Sequence, residues 1–256
     1  MNKETFLNRA NIEDKSLLLD IYNKAILAEK TGKQLFSSYF CTNNICRVSR
    51  ELANSLNLKI NMFGVFKDSE RRIIGFNVYD TADFPLVLAK ISYDSKFVNL
   101  KHKDFLGALT SLGIRREKMG DLVLKENNCY VPIYEDLYEY IAINLNHIAK
   151  SPCRIEKMDL KTQVIPEFNF QEKSIIVSSN RADSIVASLC NISRSKALDL
   201  IKSSKVFIDY EEVKSKNREI DIESIVTIRG YGKFKMDSFL GKTAKGRIKI
   251  LFKKFI

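Results

Sequence analysis

RADSIVASLCNISRSKALDLIKSSKVFID, Arg181 to Asp209, decides the fold of the C-terminal third of the chain. Asp183 is placed to cap an apolar helix over SIVASLCN, and Ser193 or Ser195 to cap a second over KALDLIKSS. Two helices so closely linked form an αα-hairpin. Lys202 and Lys205 then lead into VFIDY, a short apolar run of strand character. After an acidic turn, EIDIESIVTIRGYGKF carries Ile220, Ile222, Ile225, Thr227 and Arg229 in uneven alternation, the pattern of strands with a bulge. The tail KTAKGRIKILFKKFI alternates cations with Ile248, Ile250 and Phe252, as an edge strand guarded by lysines does.

Upstream, residues 160–173 (LKTQVIPEFNFQEK) have no clear period and contain Pro166, so a joint between domains is expected there. The first sixty residues have helical spacing: Leu18, Ile21, Tyr22, Ala25 and Ile26 recur at three and four before Gly32, and Ile45, Val48, Leu52 and Leu56 repeat the pattern. From Lys59 the period changes. KINMFGVF, RRIIGFNVYD and LVLAKISYD are β-rich, KDFLGALTSLGI is helical, DLVLKENNCYVPI reads as a hairpin, EDLYEYIAINLNHIA is helical and RIEKMDL returns to strand. Strand, helix, hairpin, helix and strand in that order predict a ferredoxin-like layer, an arrangement that RNA-recognition modules also use. The expected fold class is therefore α+β, with a small helical N-terminal domain over 1–75, a ferredoxin-like domain over 76–160 and a hairpin-plus-sheet domain over 174–256.

Charge and composition narrow the function. The formal net charge of +11 is concentrated at the end: residues 229–256 hold nine basic side chains and one acidic. Such asymmetry favours a polyanionic partner, nucleic acid or anionic lipid. No apolar run approaches the roughly 18 residues of a membrane span, and MNKETFLNRANIEDK lacks the apolar core of a signal peptide, so a cytoplasmic protein is expected. The five cysteines are scattered without a CxxC pair and only two histidines accompany them, which predicts reduced, packed thiols and no metal site.

The cations of the opening stretch lie at the joints of the hairpin. A helix N-terminus presents unpaired N–H groups and a partial positive charge, so Arg194 and Lys196 add to a place already suited to phosphate. Lys202 and Lys205 continue that surface toward the strand, and Arg181, just ahead of the first helix, is placed to join it. Arg229 and Lys233 of RGYGK supply the flank. The candidate RNA-binding set is thus Arg181, Ser193, Arg194, Ser195, Lys196, Lys202, Lys205, Arg229 and Lys233, a set that would track a backbone and read shape more than sequence. Each also has a local reading: Lys202 and Lys205 complement the negative end of their own helix, Asp183 and Ser193 are caps, and Arg181 pairs with Asp183.

The pattern RADxxxAxxxxxSRSKAxxLIKxxKVxID, followed by a strand ending IRGYGKF, resembles the S4 RNA-binding domain. The resemblance extends upstream. Lys96-Phe97, His102-Lys103-Asp104, Leu106 to Leu109 (LGAL), Leu112 to Ile114 (LGI), Arg116-Glu117 and Gly120-Asp121 are similar to the middle domain of the YlmH family of bacterial S4 proteins, and KDSERRII, Lys67 to Ile74, to that family's DAER segment. The chain departs from that pattern at turn residues. Ser204 replaces a glycine, Asp209 an asparagine, Glu223-Ser224 a Gly-Asp turn and Val65 the second of two glycines, so altered loop geometry is expected there.

The resemblance implies a non-catalytic, monomeric protein without cofactor that binds ribosomal RNA, with tRNA as a further partner, on the large ribosomal subunit during quality control of stalled peptidyl-tRNA complexes. The family also carries a link to cell division, which leaves a peripheral division factor as one alternative. An RNA-modifying enzyme is the other, since S4 domains are also appended to such enzymes. Against it, the chain has no GxGxxG nucleotide loop, no HIGH-like or KMSKS-like signature and no convincing catalytic aspartate motif. His102, Asp104, Arg115 and Arg116 are the residues such a site would use, although His102 and Asp104 equally begin a helix, with Asp104 as its cap.

Overall fold

The computed structural model describes residues 2–9, 15–94 and 100–256; the Lys96-Phe97 pair lies outside them. The chain is α+β and divides into two compact units, Met1–Glu167 and Phe168–Ile256.

The first unit begins with helices α1 (Lys3–Arg9), α2 (Lys15–Thr31) and α3 (Asn43–Ser55). Gly32 adopts φ 67° and donates its N–H to Ala28, which ends α2 where the sequence places its stop. The expectation of a helical N-terminal domain is corrected in one respect. Strands β1 (Leu35–Phe36), β2 (Ile60–Phe63) and β3 (Ile73–Phe76) pair antiparallel in the order β1-β3-β2. The helices cannot close a core alone: Phe6, Leu18, Ile21, Ala25, Ile45, Val48 and Leu52 are buried together with Ile74 and Phe76 from that sheet.

A second cluster in the same unit belongs to β4 (Leu86–Tyr93), α4 (His102–Ser111), β5 (Val123–Lys125), β6 (Asn128–Tyr134), α5 (Glu135–Asn144), β7 (His147–Ile148) and β8 (Ser151–Met158). The sheet is antiparallel, ordered β5-β6-β4-β8-β7. Alternation along β4 and β6 sends Val87, Ala89, Ile91, Cys129, Val131 and Ile133 inward against Phe105 and Leu109 of α4 and Ile141 of α5.

The second unit contains β9 (Phe170–Val177), α6 (Ala182–Cys190), α7 (Arg194–Lys202), β10 (Val206–Ile208), β11 (Glu211–Glu212), β12 (Ile225–Ile228), β13 (Gly232–Lys242) and β14 (Ile248–Phe255). The αα-hairpin covers one face of a six-stranded antiparallel sheet, β11-β10-β12-β13-β14-β9. Ile185, Val186 and Leu189 of α6 and Ala197 and Ile201 of α7 are buried with Val206, Val226, Phe234, Ile250 and Phe252 of that sheet. Two expectations are corrected. The basic tail is not an edge strand, because β14 runs between β13 and β9 and its lysines flank a central strand. Of the run expected to form strands over 219–234, Ile220 and Ile222 lie outside the strands; Glu219 makes an isolated bridge with Arg181, and continuous strand pairing begins at Ile225.

Candidate nucleic-acid interface

The first joint of the hairpin is built from local rules. Asn191 adopts φ 54° to close α6, with the Ile192 N–H donating to the Ala187 carbonyl at 3.0 Å. Two residues later Ser193 caps α7, its Oγ accepting the Lys196 N–H at 3.3 Å. So tight a joint leaves Ser193, Arg194, Ser195 and Lys196 exposed together beside the first turn of α7. The Arg194 guanidinium Nη2 donates to Ser178 Oγ at 2.7 Å and Ser184 Oγ at 3.0 Å. Arg194, Ser178, Ser184, Ser188, Asn191 and Arg247 line one open concavity. Two guanidiniums, three hydroxyls and an amide around one hollow suit an anion with several oxygens.

The second joint lies at the far end of α7, about 12 Å away at 1.5 Å per residue. Lys202 and Lys205 are exposed there; the Arg229 N–H donates to the Lys205 carbonyl at 2.8 Å, while its guanidinium turns onto the Phe207 ring at 4.9 Å. Cations at both ends of one short helix form two spaced sites rather than a single pocket.

Two members of the candidate set are placed differently. The Arg181 guanidinium is held by Asp183, Nε to Oδ1 at 3.2 Å and Nη2 to Oδ2 at 3.4 Å, with the carboxylate side chain only 7% exposed. Lys233 pairs with Thr227 across β12 and β13 and faces away from the helices, where its Nζ donates to Tyr210 Oη at 3.2 Å. Conversely, Arg247 has no place in the sequence-derived set. It reaches the hollow because Ile248 pairs with Val177, which brings the β13–β14 turn beside the end of β9. An edge-strand reading of the tail hides that neighbour.

In the first unit, the residues weighed for an enzymatic site have structural partners. Asp104 Oδ2 accepts the Lys101 N–H at 2.8 Å at the start of α4, and Arg116 Nη1 donates to the carbonyls of Met119 and Gly120 at 2.8 Å each. Arg115 stands over the Tyr39 ring at 5.3 Å, with Lys118 at 4.7 Å. Burial raises the thiol of Cys129 far above its ordinary value and that of Cys190 to about 11.

Residues 80–162 match the family model described as "Putative RNA-binding domain in YlmH". The chain is 30% identical, over 194 residues, to the Ribosome-associated protein quality control protein P2 of Bacillus subtilis (strain 168), a match that covers 75% of this chain and 76% of that protein. The chain belongs to the YlmH family. A solved structure titled Cell division protein ylmH from Streptococcus pneumoniae shares the fold over 60% of this chain and 96% of its own, with a TM-score of 0.50 and 22% identity. Two YlmH motifs meet in the first unit: Asp121 of the Gly-Asp pair accepts the N–H groups of Glu70 and Arg71, from the DSER segment, at 2.7 and 3.1 Å. The turn positions where this chain departs from the YlmH pattern keep left-handed backbones without glycine, with φ 73° at Val65, 54° at Ser204, 50° at Asp209 and 69° at Glu223. Asp209 is turned inward, its Oδ1 accepting the Ile225 N–H at 2.9 Å. Among the described residues, no helix is long and apolar enough to cross a membrane.

Proposed function

We propose that this YlmH-family chain is a non-catalytic, cytoplasmic RNA-binding factor. It acts as a monomer on the large ribosomal subunit, binds structured ribosomal RNA and tRNA there, and serves the quality control of stalled peptidyl-tRNA complexes. In this reading, residues 174–256 are an S4 domain, 76–160 a ferredoxin-like RNA-binding domain and 1–75 an accessory domain. The strand order β5-β6-β4-β8 supports the second assignment and the hairpin on its sheet the first.

The observation that carries the reading is the α7 start, where Arg194 and Arg247 share a hollow with three serines at a helix N-terminus. The name of the Bacillus subtilis relative supports the ribosome as the place where such a surface works. Sedimentation of the purified protein with isolated large subunits, small subunits and anionic vesicles tests it. Co-sedimentation with large subunits alone is expected; binding to vesicles in preference to subunits would overturn the reading. Mass spectrometry of ribosomal RNA from a deletion strain is expected to show every modified nucleoside retained.

A further inference from the structure

On the sheet of the second unit, one face is buried beneath the helices and the other is built of rings and cations. Strand alternation sends Phe234 and Phe252 into the core, so Lys233, Lys253 and Phe255 point the opposite way. The first row of that face crosses five strands. Phe207 lies opposite Thr227 and Thr227 opposite Lys233, the Lys233 Nζ stands 5.0 Å from the Phe255 ring, and Phe255 pairs with Phe170. The ends of the row are reinforced: Arg229 lies over Phe207 at 4.9 Å, and Phe168 packs edge-on to Phe255 at 5.7 Å.

Tyr210 is the most telling member. The residue is 44% exposed, its ring lies 5.1 Å from the Lys233 Nζ, and its own backbone is left-handed at φ 70°, directly after Asp209 at φ 50°. Asp209 and Tyr210 are the two-residue loop of the β10–β11 hairpin, where Ile208 pairs with Glu211, and a turn of that kind takes φ > 0 at both positions; it leaves the tyrosine ring at the rim of the cationic row.

We propose that this face is a second RNA contact, distinct from the hairpin joints, on which unpaired bases stack against Tyr210 and the Arg229–Phe207 pair while Lys233 meets the backbone. Rings interleaved with cations at ring-contact distance are what a single strand needs, since every base has a π-face and every linkage a charge. An acidic protein would use the cations alone and leave the rings without a role. The excess of nine basic over one acidic side chain in 229–256 supplies the attraction, although Lys253 is already paired with Asp237 at 2.8 Å and adds little. The inference rests on the RNA-binding reading and adds to it a ligand class, unpaired nucleotides beside structured RNA, and a separate face.

The chain contains no tryptophan, so Tyr210→Trp places a single reporter on the face. Emission is to be followed during titration of the full-length variant with a single-stranded oligoadenosine, inorganic polyphosphate and polyglutamate. Saturable quenching by the oligonucleotide alone is expected. Arg229→Ala and Lys233→Ala should weaken it, and Tyr210→Ala, with an unchanged melting temperature, should weaken oligonucleotide binding about 5- to 100-fold, as for loss of one stacked base. Unchanged emission in a variant that still binds large subunits would overturn this inference and leave the RNA reading standing. Equal quenching by polyglutamate would also overturn it, in favour of an acidic protein. Loss of all RNA and subunit binding by the unmodified chain would overturn both.

Discussion

Arg181 and Arg194 stand at the starts of consecutive helices, yet their partners differ in kind. Arg194 donates to two serine hydroxyls, neutral groups that leave its charge uncompensated for a phosphate. Arg181 is committed to Asp183, a carboxylate that burial would penalise if it were left alone. The two substitutions should therefore separate. Arg181→Ala is expected to lower stability by about 1–2 kcal/mol, discounted because the arginine is partly solvated, with little change in the salt dependence of RNA binding. Arg194→Ala should do the reverse. Paired thermal melts and salt titrations measure both, and a steep loss of the salt slope on Arg181→Ala would return that residue to the RNA-binding set.

At the level of elements, the turns show what a sequence pattern conveys. The glycines expected from the YlmH pattern are missing at Ser204 and Glu223, yet the backbone there lies in the left-handed region that favours glycine, φ 54° and 69°. Surrounding pairings enforce the conformation, as when Glu223 N–H and Ser224 C=O both bond Met236. A left-handed non-glycine residue costs about 1–2 kcal/mol and glycine returns part of that as unfolded-state entropy, so Glu223→Gly should stabilise the second unit by about 0.5–1 kcal/mol. Glu223→Ala, still strained, should not, and denaturant midpoints of the two variants decide the matter. The hairpin, the Ser193 cap and the order of elements in the middle segment were legible because helix starts and local periods are written in neighbouring residues; Asp183 does not cap α6, whose N-cap is Arg181, and lies in its first turn paired with that arginine. The place of β14 was not. Its alternating cations fit an edge as well as the centre, and only the long-range pairing with β9 separates the two. The same blindness concealed Arg247 beside Arg194; of the sheet of residues 35–76, β2 and β3 fall within runs that read as β-rich, and only the two-residue β1 was lost among helical signals.

For the whole molecule, the second unit begins earlier than the loss of periodicity suggests. Strand β9 starts at Phe170, and the pairs Phe252↔Lys173, Lys253↔Glu172, Lys254↔Gln171 and Phe255↔Phe170 all precede residue 174. A fragment of residues 168–256 is expected to fold alone with a cooperative melt, whereas 174–256, stripped of half of β9, should melt lower and expose the flank of β14. Circular dichroism of both fragments measures this; equal stability would place the boundary at 174 after all.

The central claim is that cations at the two hairpin joints hold the protein to ribosomal RNA. Its most direct test is co-sedimentation of the Arg194→Ala/Lys205→Ala double variant with large ribosomal subunits across a salt series, with the fold verified by its melt. Each lost phosphate contact should lower the slope of log affinity against log salt by about 0.7–0.9. The account predicts a slope shallower by about twice that and release from subunits at moderate salt, with the melting temperature nearly unchanged. Unaltered affinity and slope in a folded double variant would contradict it.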